Sequence, residues 1–332
     1  MTERPKILPF VLLTAVLGIS VSGPLARLAD AAPLAIAVWR LTLALVVIAG
    51  MLLWTGAWTE WRKLSMRDLA LASAAGLFLA VHFWSWIASL GMTSIAASVL
   101  LVNLHPLVII GGSALWLGER PTRRQVIGLA IAIVGAAAIG LGDTLMARVA
   151  PAGAAVSSVE GILPSGSASG GTSRALIGNA LALLGAVTVG LYYLVGRSLR
   201  QRLSLWPYVG LVYGACLLAL LGFALVDGTT LTGFAPREWM LFGGIALGPM
   251  LLGHTGFNWS LRYVPAYVVS LAVLAEPLGA ALLAYLLPSI HEVPTPAVLV
   301  GGIVVLIGLG VGSVGEGAAG SAEASPAPTD SE

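Results

Sequence analysis

The feature that leaves this chain the fewest folds is a succession of ten apolar stretches. Each is about 17 to 25 residues long, the length needed to cross roughly 30 Å of hydrocarbon as a helix. They lie near 7 to 28, 33 to 55, 68 to 90, 93 to 117, 124 to 142, 175 to 196, 205 to 226, 238 to 260, 264 to 288 and 297 to 314, and only Arg40 and Glu276 put a charge well inside them. With 58% hydrophobic and 10% charged residues over 332 positions, the composition lies outside the range of a soluble domain. The expected fold class is an all-α integral membrane protein with ten transmembrane helices.

Basic residues set the expected orientation, because cytoplasmic loops collect Lys and Arg. Arg4, Lys6, Arg62, Lys63, Arg67, Arg120, Arg123, Arg124, Arg197, Arg200, Arg202 and Arg262 fall on one side, and Arg27, Arg148, Arg174 and Arg237 on the other. The richer side is read as cytoplasmic and both termini with it, in a multi-pass protein of the plasma (inner) membrane. The formal charge of +2 reports this asymmetry. No basic patch with interleaved aromatics points to nucleic acid. Arg4 and Lys6 before an apolar core, with small residues from Ser20 to Gly23, imitate a secretory signal, but the repeat described next needs this helix in place. The single Cys216 lies in an apolar helix, cannot form an internal disulfide and reads as a packing residue.

The chain repeats itself at an offset of 171 to 173 residues. Ser98 to Gly135 and Ser270 to Gly308 read alike: Pro106 matches Pro277, Glu119 matches Glu292, Thr122 matches Thr295, and Gly128 and Gly135 match Gly301 and Gly308. Each half then holds five helices, and an odd number makes the halves enter the membrane from opposite sides. Two inverted five-helix repeats are expected, at 7–142 and 175–314. Such halves place substrate sites at their interface near mid-bilayer and rock against each other, which points to a secondary transporter. Between them 143–174 is rich in Ala, Gly, Ser and Pro and reads as a flexible external linker; 315–332 has the same character and reads as a disordered cytoplasmic tail.

The ten-helix plan, PLAIAVWRL around Arg40, NLHP followed by LGERPT, and AEP around Glu276 resemble the EamA-type family of the drug/metabolite transporter superfamily. The resemblance covers nearly the whole chain outside linker and tail. It implies a ten-helix inner-membrane permease that exports amino acids, their relatives or other small metabolites, and it names no compound.

Glu276 is the carboxylate in the middle of an otherwise charge-free run from Val264 to Leu287. A charge at the bilayer centre costs at least about 2.5 kcal/mol on insertion scales, so it persists where it faces protein or a watery path. There it can exchange protons, or it can serve as a buried structural carboxylate. Its repeat mate is His105, and both precede a proline near the midpoint of their helices. The two are expected to lie close, as a titratable pair that couples protons to substrate or helps bind a zwitterion. Pro106 and Pro277 should free backbone carbonyls into the pathway. Arg40, about seven residues into its helix, either snorkels outward, anchors helix ends through carbonyls or holds an anionic group of the substrate.

His82, Trp84 and Trp86 crowd the outer part of one helix, and His254, Asn258 and Trp259 the inner part of its repeat mate. Packing between helices is the default reading; a cavity wall that stacks on substrate is the alternative, with Tyr192, Tyr193 and Asn103 as further polar handles. Thr122 to Gln125 fits a capping box, and Thr295 precedes Pro296 at a helix start. Glu119 and Glu292, just before those caps, are read as loop structure.

Enzyme readings fare poorly. The lysines, Lys6 and Lys63, make no Walker A loop, His291–Glu292 lacks the second zinc-protease histidine, and Ser113 with His254 only superficially suggests an intramembrane protease. Catalytic residues, metal and cofactor are all expected to be none. The expected partners are a small-molecule substrate and the bilayer, with protons as the coupling ion, and a homodimer is left open. An uncoupled facilitator, an uptake permease and a non-transporting membrane partner stay open beside export.

Overall fold

The structure, a computed structural model, describes residues 5–116, 122–149, 168–264, 266–273 and 275–313. Glu119, the middle of the expected linker at 150–167 and the tail from 314 lie outside them. The regular elements among the described residues are all helical, as a bilayer demands of a chain that must satisfy its backbone internally. In chain order they are α1 (Leu8–Ser20), α2 (Ser22–Leu28), α3 (Pro33–Thr55), a 3₁₀ helix (Ala57–Lys63), α4 (Met66–Leu90), α5 (Ile95–Val102), α6 (His105–Trp116) and α7 (Arg123–Val149). There follow α8 (Ala168–Arg200), α9 (Leu205–Asp227), α10 (Pro236–Ile245), a π-helix (Ala246–His254), α11 (Thr255–Ser260), α12 (Ala266–Val273), α13 (Glu276–Leu286) and α14 (Pro296–Ser313).

Seven segments among the described residues are long and apolar enough to span a membrane: Leu8–Leu28, Pro33–Thr55, Met66–Leu90, Ile95–Gly112, Ser173–Arg200, Leu205–Asp227 and Pro236–Ser260. Shorter apolar helices, Val126–Ala138, Glu276–Leu286 and Pro296–Gly308, occupy the remaining expected places. The protein is thus a multi-pass, all-helical membrane protein. Large apolar side chains such as Leu53, Trp54, Leu225 and Val226 point outward, while Arg40, His82, Asn103 and Glu276 are buried, the inside-out pattern of a lipid solvent.

Four expected helices are interrupted. The first bends at Val21 between α1 and α2, the stretch 93–117 breaks between Val102 and His105, 264–288 breaks between Val273 and Glu276, and 238–260 passes through the π-helix that holds Pro249. In three of the four a proline stands at the break, where its missing N–H and its ring cannot continue the i→i−4 ladder. Conversely α7 and α8 run past the expected linker limits, to Val149 and from Ala168.

The packing has the internal symmetry the repeat requires. α7 lies on α14 and α3 on α9, each pair self-matched, while the contact of α4 with α8 is mirrored by α1 with the π-helix, and that of α6 with α8 by α1 with α13. The repeated glycines show why α7 and α14 fit. A Cβ on Gly135 would stand 2.7 Å from Gly301 O and 2.6 Å from Val305 N; one on Gly308 would stand 2.7 Å from Gly128 O and 2.5 Å from Ala132 N. Only glycine lets the two backbones approach so closely.

Residues expected on one side of the membrane do meet. Arg27 donates to Thr93 O at 2.7 Å, Glu292 accepts from the Ile95 and Ala96 amides at 3.0 and 3.2 Å, and Glu238 accepts from Asp30 N at 3.0 Å. At the other end Arg202 pairs with Asp68 at 2.7 Å, and Glu60 accepts from Ser204 N and Oγ at 3.0 and 2.6 Å. Glu292 therefore caps α5 from the opposite half, in keeping with its reading as loop structure. Thr295 Oγ1 accepts from Val298 N at the start of α14, as its position before Pro296 suggests.

Candidate functional site

The two helix breaks build the centre of the molecule. After α5 the chain turns at Asn103 and Leu104, with Leu104 N donating to Leu101 O, and restarts as α6 at His105–Pro106. After α12 it turns at Ala275, with Ala275 N donating to Ala272 O, and restarts as α13 at Glu276–Pro277. Proline suits such a start because its missing N–H falls among donors a helix leaves unused anyway. Side chains close part of the first gap: Asn103 Nδ2 donates to Val99 O at 2.9 Å, and His105 Nδ1 lies 3.3 Å from Val102 O.

Between the breaks lies a cavity of about 40 Å³, lined by Ile19, Ser22, His82, Trp86, Val102, Asn103, His105, Val189, Tyr193, His254, Phe257, Val273 and Glu276. At ≳10–15 Å³ per water it has room for a few waters and not for a metabolite. Its wall comes from both halves of the chain. Glu276, 8% exposed, accepts from Asn103 Nδ2 at 3.1 Å, across the repeat boundary. His82 Nδ1 lies 3.0 Å from Gly185 O, its ring is stacked near Trp86, and its centroid is 6.1 Å from that of His254.

Asn103, His105, Glu276, His82, Trp86, His254 and Tyr193 thus come together as the sequence suggests, with Pro106 and Pro277 at the restarts. His105 and Glu276 line one cavity, and no hydrogen bond joins them: Glu276 is held by Asn103, while His105 Nδ1 is taken by Val102 O. Two expectations need correction. First, His82 and His254 do not sit at opposite ends: their rings meet, with centroids 6.1 Å apart. Second, Tyr192 and Asn258 are not on the cavity. Asn258 Nδ2 donates to the Tyr192 and Tyr213 hydroxyls, at 2.5 and 3.1 Å, and Asn258 O accepts from Arg200 Nε, a separate buried knot among α8, α9 and α11.

Arg40 is 1% exposed, so it does not snorkel, and none of its guanidinium nitrogens has a hydrogen-bond partner, so it anchors no carbonyls. It lies 4.1 Å over the Phe83 ring, outside the cavity wall. A cation–π contact of this kind partly offsets its burial.

Ser22, Val102 and Val273 also line the cavity, and hydropathy and polarity along the sequence do not single them out. The repeat offset does: Ser22 is the mate of Tyr193 and Val102 the mate of Val273, just as His105 is of Glu276, each 171 residues apart. His82 and His254 follow at 172, so the wall is largely made of matched pairs. No group of three His, Cys, Asp or Glu that would hold a metal is gathered among the described residues.

No curated protein sequence matches the chain. A solved structure described only as a crystal structure of a protein is similar at 19% identity and a TM-score of 0.61, over 93% of this chain and 96% of that one, which shows a shared fold. The model of the EamA-like transporter family, a family of membrane transporters and not of enzymes, matches residues 7–141 and 176–313, the two expected halves. Two matches over most of the chain, each on one repeat, mean that the protein belongs to the EamA-like transporter family.

Proposed function

We propose that the chain is a secondary transporter of ten transmembrane helices in two inverted repeats, which moves a small polar or amphipathic metabolite out of the cell by alternating access. It works in the plasma membrane with both termini cytoplasmic. The observation that carries this reading is the cavity between the two helix breaks, where Asn103, His105 and Glu276 place polar atoms inside an apolar bundle. Buried polar groups in a membrane are retained where they line a substrate or ion path, and broken helices at a repeat interface are where transporters put that path.

Glu276 is the coupling group. Its neighbours are the Asn103 amide, the His105 and Tyr193 rings, and Arg40 within electrostatic range; a carboxylate so placed exchanges its proton as the cavity opens to one side and then the other. Loss of the proton to one compartment and its recovery from the other would tie solute movement to the proton gradient.

The test is metabolite profiling of medium and cells in strains that lack or overproduce the chain, followed by Glu276→Gln. A compound that rises outside only with the intact protein supports export and names the cargo. If Glu276→Gln then keeps exchange of that compound but loses the response to a pH gradient, the carboxylate couples protons. Unchanged transport in the variant would leave an uncoupled facilitator, and a compound depleted from the medium would reverse the direction to uptake.

A further inference from the structure

The polar atoms of the cavity are unequal in kind. Asn103 spends its side-chain nitrogen on Val99 O and Glu276, which leaves Oδ1 buried with no partner. At His105 the neighbour of Nδ1 is a carbonyl, which can only accept, so Nδ1 carries the hydrogen and Nε2 of the neutral ring offers a lone pair. That Nε2 is also buried without a partner. Glu276 adds a carboxylate, and Asn103 and His105 are 1% and 3% exposed.

The donors in the wall come from neutral groups: Trp86 Nε1 is buried without a partner, His254 Nδ1 is too and gives or takes a hydrogen according to tautomer, Ser22 adds a hydroxyl, and neither Lys nor Arg lines the cavity. The nearby cation, Arg40, lies over the Phe83 ring outside the wall, within electrostatic range of Glu276. Buried acceptors without donors are costly, and their complement is a group that brings several N–H bonds and a positive charge. Trp86, Tyr193 and Phe257 add ring faces that favour a cation and an apolar body.

We propose that this cavity is the binding site for a small organic ammonium ion, a primary amine with an apolar body, whose three N–H groups go to Glu276, Asn103 Oδ1 and His105 Nε2. The inference rests on the transport reading of the same cavity and sharpens its substrate class. It sets a monoamine apart from an amino acid: a zwitterion would bring a second carboxylate beside Glu276, where the wall itself holds no charged donor. The cavity widens around the ligand, as alternation between conformations allows.

The test uses the purified full chain in phosphatidylcholine nanodiscs and follows thermal unfolding and tryptophan fluorescence at neutral pH. Four probes share one ring and a similar chain and differ in charge: 2-phenylethylamine, phenylalanine, 3-phenylpropanoate and 2-phenylethanol. The amine should bind, and the other three should bind at least about tenfold more weakly, since each lacks the cation or adds an unmatched charge. Phenylalanine or phenylpropanoate binding as tightly as the amine would overturn the proposal, as would silence of all four together with n-butylamine. Two variants add to the wild-type series without being needed for it. Glu276→Gln should weaken the amine by about tenfold or more, and Arg40→Gln should leave it unweakened; loss of amine binding with Arg40→Gln alone would count against the assignment. The two readings fail separately. An anionic or zwitterionic cargo from metabolite profiling would keep the transporter and sink the amine site, whereas Glu276-dependent amine binding without transport of any solute would do the reverse.

Discussion

The break between α5 and α6 and the break between α12 and α13 share one backbone and carry different chemistry. At each, a residue bonds three back instead of four, Leu104 to Leu101 and Ala275 to Ala272, and a proline follows two positions later. Leu104 and Ala275 are themselves 171 residues apart, so the turn is a property of the repeat. The side chains are not. The first half supplies an amide and an imidazole in Asn103 and His105, the second a carboxylate in Glu276. The backbone turn is kept alike in both halves, while the single formal charge of the cavity wall comes from one of them. Under the proposed transport cycle, symmetry serves the motion and asymmetry serves the ligand.

The sharpest way to break this comparison is to remove the charge. Glu276→Gln keeps the shape and the bond with Asn103, so the fold should persist while ligand affinity falls by about 10- to 100-fold, the value of a hydrogen bond to a charged group. His105→Leu, at the mate position, removes a neutral acceptor and should cost about tenfold or less. Binding titrations on both variants check the ranking. Equal losses would mean that the two halves contribute alike and that the charge is not special.

The next effect falls on the shared scaffold. Gly135→Leu or Gly308→Leu places a side chain where backbone atoms of the opposite helix already stand within 2.5 to 2.7 Å, and should lower stability by about 1 to 3 kcal/mol. Gly111→Leu, with nothing within 4 Å, should be nearly neutral. Size-exclusion chromatography of detergent extracts after heating separates the two cases. Matched losses at Gly135 and Gly308 would confirm that the contact is two-fold; a loss at only one would show that the halves pack differently there.

Much of this is legible in the amino-acid sequence, and for physical reasons. Hydropathy reveals spans because lipid demands them, and the repeat in the sequence anticipates the two family matches, one on each half. Glu276 stands out because a bilayer makes one carboxylate conspicuous. The rest depends on which way a side chain points. Arg40 reads the same in sequence whether it snorkels or lies over Phe83, and the run 238–260 has the same hydropathy as an α-helix or with a π-helix inside it. His82 and His254 fall at opposite ends when position along a helix is read without the packing that brings their rings together. Applied as a ruler, the repeat offset recovers that pair, and Ser22 with it.

The smallest effects lie at the two ends of the bundle, where each half reaches the other through acidic side chains. Glu292 binds two backbone N–H groups at the start of α5 and stands 3.8 Å from Arg27. Glu292→Ala uncaps a helix, so a loss of about 1 kcal/mol is expected. At the opposite end Asp68 already accepts from Ser65 N and Oγ, at 3.1 and 2.7 Å, so its bridge to Arg202, whose side chain is 53% exposed, adds little. Arg202→Ala should therefore cost about 0.5 kcal/mol or less. Thermal unfolding of both variants in the same detergent tests the order. A larger loss at Arg202 would mean that the bridge to Asp68 holds the halves together at that end more firmly than the helix cap does at the other.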